Sequence, residues 1–177
     1  MKNVFKYCPN CQSQNTTFEN DHLFTCNDCG FIYYHNVATA VAVIIKKGEK
    51  ILFTVRNNEP MRGKLDLPGG FVDPNENAEE AVVRELKEEL NLELTQKDLT
   101  FFTTENNTYS FRGITYRTCD ICYLAEIKDI PLSLETKEIQ EVRWLSPEQI
   151  HLENIGFDSL RKVVARYLER QLIDIKK

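Results

Sequence analysis

The sequence predicts an α/β domain of mixed strands and helices, preceded by a small cysteine-rich segment. Three observations carry this reading. Two Cys-x-x-Cys pairs, Cys8/Cys11 and Cys26/Cys29, fall within residues 1–35. From Val37 onward, short β-branched runs separated by turn residues have the look of strands. Residues 78–90 and 157–172 carry apolar side chains at helical spacing instead.

Residues 1–35 form the first predicted unit and residues 36–177 the second. Fourteen residues separate Cys11 from Cys26, close to the spacing of paired zinc knuckles. Four thiolates so arranged suit a tetrahedral Zn²⁺, and a segment this short has no core of its own without the metal. The pattern looks like a zinc ribbon of the treble-hairpin kind, with Phe24 and Phe31 flanking the second knuckle. A redox role for Cys-x-x-Cys is the rival, and two paired motifs favour metal. Four cysteines leave no open coordination position, so the zinc is structural. His22 and His35 read as ordinary loop or surface residues.

In the second unit, Val37–Ile45 and Ile51–Val55 flank the turn 46–50 and predict a hairpin. The helix from about Ala78 to Leu90 opens on Asn77 and Glu80, a capping-box pair. Its apolar arc is Val82, Val83, Leu86 and Leu90. Ala78 and Ala81 lie beside the acidic arc and leave room for a ligand. Leu99–Thr104, Thr115–Ile127 and Val142–Leu145 read as strands, and Ser146-Pro147 opens a short helix. The last helix carries Leu160, Val163, Val164, Tyr167, Leu168 and Leu172, a core or dimer-contact stripe. Cys119 and Cys122 sit at odd spacing in a strand, so their thiols point to opposite faces and serve as small buried hydrophobes.

The chemistry concentrates in Gly70–Leu92. Glu85, Glu88 and Glu89 share one helix face at i, i+3 and i+4. Crowded carboxylates call for a positive partner, and a hard divalent cation with oxygen ligands is the simplest. Leu67-Pro68-Gly69-Gly70 precedes the helix, its glycines permitting a sharp turn or close approach to a ligand. The competing reading, a solvated acidic face, leaves the Gly-Gly turn and the Arg84-Glu85 pair unexplained. With a net charge of −5, the chain as a whole attracts neither nucleic acid nor an anionic membrane. No apolar run is long enough to span a bilayer and Met1–Val4 opens no secretory signal, so the expected location is the cytoplasm.

These residues resemble the Nudix box. Gly70, Glu76, Arg84, Glu85, Leu86, Glu88, Glu89 and Leu92 fall on its pattern, and Asn91, a residue that tolerates left-handed geometry, replaces its second glycine. The resemblance covers roughly residues 37–150 and implies the Nudix fold, a mixed β-sheet between helices. It further implies a pyrophosphatase that hydrolyses a nucleoside diphosphate linked to another group, with Mg²⁺ or Mn²⁺ as cofactor. Carried over by position, Glu85, Glu88 and Glu89 bind the metal, the Gly69 carbonyl adds a ligand, and Arg84 pairs with Glu76 to hold the loop of Gly70 against the helix. Many members take a further carboxylate from a loop before a Trp-bearing strand. Glu138 is the first candidate for metal binding or general base, with Glu141 its rival. Trp144 reads as a core anchor.

Arg56, Lys64, Arg112 and Arg117 are candidate diphosphate contacts, and Phe71 and Tyr109 candidate stacking partners for a base or ribose. A zinc ribbon ahead of such a domain resembles the NADH pyrophosphatase branch. That branch carries a Ser-Gln-Pro-Trp-Pro-Phe-Pro run, where this chain reads Asn106-Asn107-Thr108-Tyr109-Ser110-Phe111-Arg112-Gly113. The lead-in Arg56-Asn57-Asn58-Glu59-Pro60 and Gly63-Lys64-Leu65-Asp66-Leu67-Pro68-Gly69-Gly70 is similar to ADP-ribose pyrophosphatase-like members. ADP-ribose, NADH and other dinucleotides or nucleotide sugars therefore stand as substrate classes. Two other functions remain open: a ligand-binding sensor on the same scaffold, and a ribbon that serves as an adaptor. The ribbon has no basic residue from Cys8 to Cys29, which argues against nucleic acid, whereas packing on the domain or building a homodimer fits its composition.

Overall fold

The computed structural model describes residues 5–129 and 131–174, with the side chains of 109–111 and 174 outside the described set. Two compact units divide the chain, Met1–Val37 and Ala38–Lys177. In the first, β1 (Thr16–Glu19), β2 (Leu23–Cys26) and β3 (Ile32–Tyr34) form an antiparallel sheet in that order. Phe24, Cys8 and Cys26 are buried at its centre, with Phe5, Phe18 and Phe31 packed around them. The segment thus has a small aromatic core beside its cysteines, more than its composition suggested.

The second unit is a six-stranded mixed sheet between two helices. Its elements are β4 (Ala38–Lys47), β5 (Lys50–Arg56), β6 (Leu65–Asp66), α1 (Ala78–Leu90), β7 (Thr100–Phe111), β8 (Ile114–Glu126), β9 (Ile139–Leu145) and α2 (Asp158–Asp174). The order is β6-β5-β4-β8-β7, with β9 also paired to β5. β4 and β8 run parallel from Ala38↔Thr118 to Lys46↔Glu126, and the remaining strand pairs are antiparallel.

Alternation along β4 decides which helix covers which face. Val41, Val43 and Ile45 pack with Ala81, Val82, Leu86 and Leu90 of α1. Ala42 and Ile44 pack with Leu160, Val163, Val164 and Tyr167 of α2. β8 follows the same rule, sending Tyr123 and Ala125 to α1 and Cys122 to α2. Cys119 is only half-buried. Trp144 is partly buried against the α1-side core, with Lys47 Nζ 4.6 Å from the ring centre.

Sequence and structure differ at a few points. Ala81 is fully buried in the core and leaves no room beside the acids, its small side chain letting α1 approach the sheet. Leu172 is exposed, so the α2 stripe ends at Leu168. β7 continues to Phe111 through Asn106 and Asn107, poor strand formers, because β8 pairs with it throughout and the ladder overrides propensity. Arg112 and Gly113 close this hairpin with φ of 49° and 78°, as a two-residue turn of matching twist requires. No described helix is long and apolar enough to cross a membrane.

α1 begins and ends where local chemistry dictates. Asn77 accepts from the Glu80 N–H, and Glu80 answers to the Asn77 N–H, each at 2.9 Å. Asn91 adopts φ 51°, ψ 33°, and its N–H reaches back to the carbonyls of Leu86 and Lys87. Asn91→Ala is expected to lose about 1 kcal/mol of stability, since a Cβ without a polar side chain disfavours left-handed geometry, while Asn91→Gly holds or gains. Chemical denaturation midpoints of the two variants check this.

Candidate active site

β4 and β5 pair only beside their turn, at Lys46↔Ile51 and Lys47↔Lys50. Beyond that point residues 65–72 occupy the space between them. Leu65 and Asp66 pair with β5, while the carbonyls of Pro68 and Gly70 accept from Val43 and Val41 of β4 at 3.0 and 2.8 Å. Gly69 has φ +146°, and a Cβ there would lie 2.1 Å from the Val41 carbonyl oxygen. A Cβ on Gly70 would lie 2.2 Å from Glu85 Oε1. Both glycines sit at close approaches within the protein itself, Gly69 against backbone and Gly70 against a side chain.

Two adjoining cavities open beside this segment. Glu85, Glu88, Glu89, Gly69, Gly70, Phe71, Glu135, Lys137 and Glu138 line one of about 620 Å³. The other, about 940 Å³, is lined among others by Arg56, Asp66, Arg112, Tyr116, Asp120, Phe157 and Leu160. Gly69, Gly70, Phe71, Glu89 and Glu138 belong to both.

Glu89 accepts the Gly69 N–H at 3.1 Å. Burial pushes its carboxyl well above the usual range; the Gly69 amide opposes this, and Glu85, Asp66 and Glu138 add to it. Burial also raises Glu85, against the pull of Arg84. Arg84 spreads its guanidinium over four acceptors: Glu76 at 2.6 and 3.1 Å, Glu85 at 2.9 Å, Glu88 at 3.1 Å and the Phe71 carbonyl at 3.0 Å. Part of the positive charge demanded by the acidic face is therefore supplied within the chain. Glu89 is half-buried and has no basic partner among the described residues, so a proton or a cation would offset the desolvation that one backbone donor leaves. An all-oxygen donor set of this kind fits a hard divalent cation.

Glu138 is placed by its neighbours. Ser133 and Glu135 donate backbone N–H groups to the carbonyls of Leu90 and Glu89, and Asn57 N–H donates to the Glu138 carbonyl at 2.8 Å. Glu141 is exposed, pairs with Arg143 and lines neither cavity. Lys64 reaches the Glu153 carbonyl at 3.1 Å and lies outside both cavities, as does Arg117. Arg56 lines the larger cavity but is committed to Asp66 at 2.6 Å and to the Pro60 carbonyl at 2.8 Å. Phe71 is exposed at the junction and Arg112 lines the larger cavity. The Tyr109 side chain lies outside the described residues. Glu135, Asp66 and Asp120 escaped the sequence reading, although the alternation Thr118, Asp120, Cys122 on one face of β8 already marks a polar residue at an inward position.

In the first unit the four cysteines are the group of described residues whose ligand atoms all lie within 4.8 Å of one another. Sγ–Sγ distances are 3.7 Å for Cys8–Cys29 and 3.6 Å for Cys11–Cys26. A tetrahedron with metal–sulfur bonds of about 2.3 Å has edges of about 3.8 Å, so the thiols fit such an ion. The Asn10 side chain and the Phe31 backbone hold the Cys29 thiol down to about 6, while Cys11, despite the Ser13 backbone, is pushed up to about 12 by its neighbouring thiols, so it is the geometry of the four sulfurs that favours a metal.

Residues 35–167 match the NUDIX domain. The chain is 54% identical over 59 residues to ADP-ribose pyrophosphatase of Methanocaldococcus jannaschii, covering 33% of this chain and 35% of that protein. It is 23% identical over 150 residues to NAD-capped RNA hydrolase NudC of Vibrio vulnificus, covering 85% and 54%. The chain thus spans about half the length of these relatives or less. Among solved structures, the NUDIX hydrolase from Nitrosomonas europaea superposes with TM-score 0.69 at 26% identity, covering 93% of this chain and 91% of that one. The NUDIX domain of Shewanella oneidensis NrtR, complexed with ADP ribose, gives 0.63 at 22%, covering 78% and 90%.

The two glycines separate fold from site. A Cβ at Gly69 meets rigid backbone and one at Gly70 meets the end of a movable side chain. Gly69→Ala is expected to cost more than about 4 kcal/mol, read as loss of a cooperative melt. Gly70→Ala should displace the Glu85 carboxylate and weaken Mn²⁺ binding roughly tenfold to a hundredfold, with little change in melting temperature. Calorimetry with Mn²⁺ beside thermal melts checks the pair.

Proposed function

The chain belongs to the NUDIX domain family, and on that premise we propose that it is a metal-dependent hydrolase of a nucleoside diphosphate linked to a second moiety, cleaving the diphosphate bond. The observation that carries this is the acid-lined cavity of Glu85, Glu88, Glu89 and Glu138 opening, at Gly69–Phe71, beside a cleft of about 940 Å³. That volume suits a nucleotide-sized ligand. ADP-ribose and dinucleotides such as NADH are the substrate classes favoured, by likeness to the ADP-ribose pyrophosphatase and NudC relatives.

Glu85, Glu88 and Glu89, with the Gly69 carbonyl, would hold Mg²⁺ or Mn²⁺. The bound cation would supply charge neutralisation on the diphosphate and a water of lowered pKa. The chain's own residues set the geometry. Arg84, fixed by Glu76 and the Phe71 carbonyl, orients Glu85 and Glu88, and the Gly69 amide orients Glu89. Glu138 lines the same cavity on a separate loop and is the group best placed to accept a proton from the attacking water. Phe71 offers a stacking face at the junction, and Arg112 a contact for the diphosphate. Arg56 shapes the cleft floor through Asp66, and Lys64 is given no part. The four cysteines of the first unit would hold one structural Zn²⁺.

Two measurements test this. A panel of ADP-ribose, NADH, NAD, diadenosine polyphosphates and nucleoside triphosphates is expected to show Mg²⁺- or Mn²⁺-dependent turnover of one diphosphate class, falling about a hundredfold or more in Glu88→Gln. No turnover with tight binding of one compound would make the chain a sensor. Elemental analysis should find one zinc per chain, lost in Cys29→Ser; retention of zinc in that variant would remove the ribbon assignment.

A further inference from the structure

The floor of the larger cleft holds a charged group that the proposed hydrolysis leaves unused. Asp120 of β8 is 7% exposed and lines the cleft. Its Oδ1 accepts the Thr118 hydroxyl at 2.5 Å and its Oδ2 the Ser159 hydroxyl at 2.6 Å. Among the described residues no basic side chain forms an ion pair with it. The neighbouring Asp66 differs, since Arg56 at 2.6 Å and the Leu67 N–H at 2.9 Å occupy its oxygens. A carboxylate has about four acceptor positions, so two hydroxyl donors leave Asp120 with capacity toward the cavity.

The surroundings define what would fit. Ala42, Phe157 and Leu160 give the cleft apolar walls, and Asp120 with Thr118 gives it a polar floor. A flat, uncharged group bearing N–H or O–H donors matches that combination, as a nucleoside does. Asp66 is paired with Arg56, which leaves Asp120 as a floor carboxylate without a basic partner among the described residues, and a phosphate placed directly against it, away from Arg112, meets like charge.

Building on the reading above, we propose that Asp120 is the specificity-determining residue of the cleft, accepting base amino or ribose hydroxyl donors from the nucleoside half of the substrate and excluding a phosphate at that position. The rival role is a tether, because Asp120 also fastens β8 to Ser159 at the start of α2. Ser159 is fully buried and does not line the cleft, so the two roles separate by mutation. Asp120→Asn keeps the shape and removes the charge. Ser159→Ala removes the tether and keeps the carboxylate.

The test is calorimetric titration without divalent metal, which keeps binding apart from turnover. The probes are ADP-ribose, its inosine and 2′-deoxyadenosine analogues, and its 2′-phosphorylated form. The wild type is expected to prefer ADP-ribose over the phosphorylated form by about tenfold or more. Asp120→Asn should shrink that preference about tenfold, weakening the first and strengthening the second. Ser159→Ala should leave both affinities within about twofold and lower the melting temperature. Loss of the Asp120→Asn effect with the inosine analogue assigns the donor to the base, and with the deoxy analogue to the ribose. An unchanged preference in Asp120→Asn, or equal shifts in both variants, overturns the proposal. Failure of ADP-ribose to bind the wild type also overturns it, while metal-dependent turnover of another diphosphate in the panel would leave the hydrolase reading intact.

Discussion

Where β4 and β5 diverge beyond their turn, the buried edge of β4 needs partners, and the backbone of residues 68–72 supplies them. Unmet N–H groups there would cost on the order of 1–3 kcal/mol each, so the segment cannot drift. Val41, Val43 and Val72 close three hydrogen bonds between the segment and β4, at 2.8, 3.0 and 3.0 Å. This leaves the Gly69 amide free to meet Glu89, sets the Gly70 backbone against the Glu85 carboxylate, and offers the Phe71 carbonyl to Arg84. One edge-pairing requirement therefore positions three of the groups that face the acids of α1.

Charge balance follows from that placement. α1 projects its acids toward a loop that contributes one amide and one carbonyl, so Arg84 alone must bind the loop carboxylate Glu76 and two acids of its own helix. The guanidinium suits this task, since its fork of donors can satisfy several oxygens at once. Glu89 makes no ion pair with it, and burial pushes that carboxyl well above the usual range. Electrostatics, more than packing, distinguishes this end of α1.

The sheet also separates two kinds of chemistry. Odd-numbered residues of β4 support α1, and even-numbered ones support α2. The two cavities share lining residues at Gly69–Phe71, Glu89 and Glu138. The acids of α1 and the apolar walls of the larger cleft therefore rest on different helices, while Glu89 and Glu138 reach both cavities.

Whatever depends on neighbours a few residues apart was legible along the chain. The bounds of α1, the Asn77–Glu80 box, the left-handed Asn91, the β4–β5 hairpin and the pairing of Cys8/Cys11 with Cys26/Cys29 are local matters of hydrogen bonding, sterics and spacing. Long-range pairing and packing settled the rest. It set β8 parallel to β4, carried Glu138 to the acids and Glu141 away from them, tied Arg56 to Asp66, buried Ala81, and brought Asp66 and Asp120 to a common cleft. These residues meet across separations of tens of positions, through the ladder and the core. Pairing partners at that range are chosen by burial and edge satisfaction over the whole sheet, a condition that no window of sequence contains.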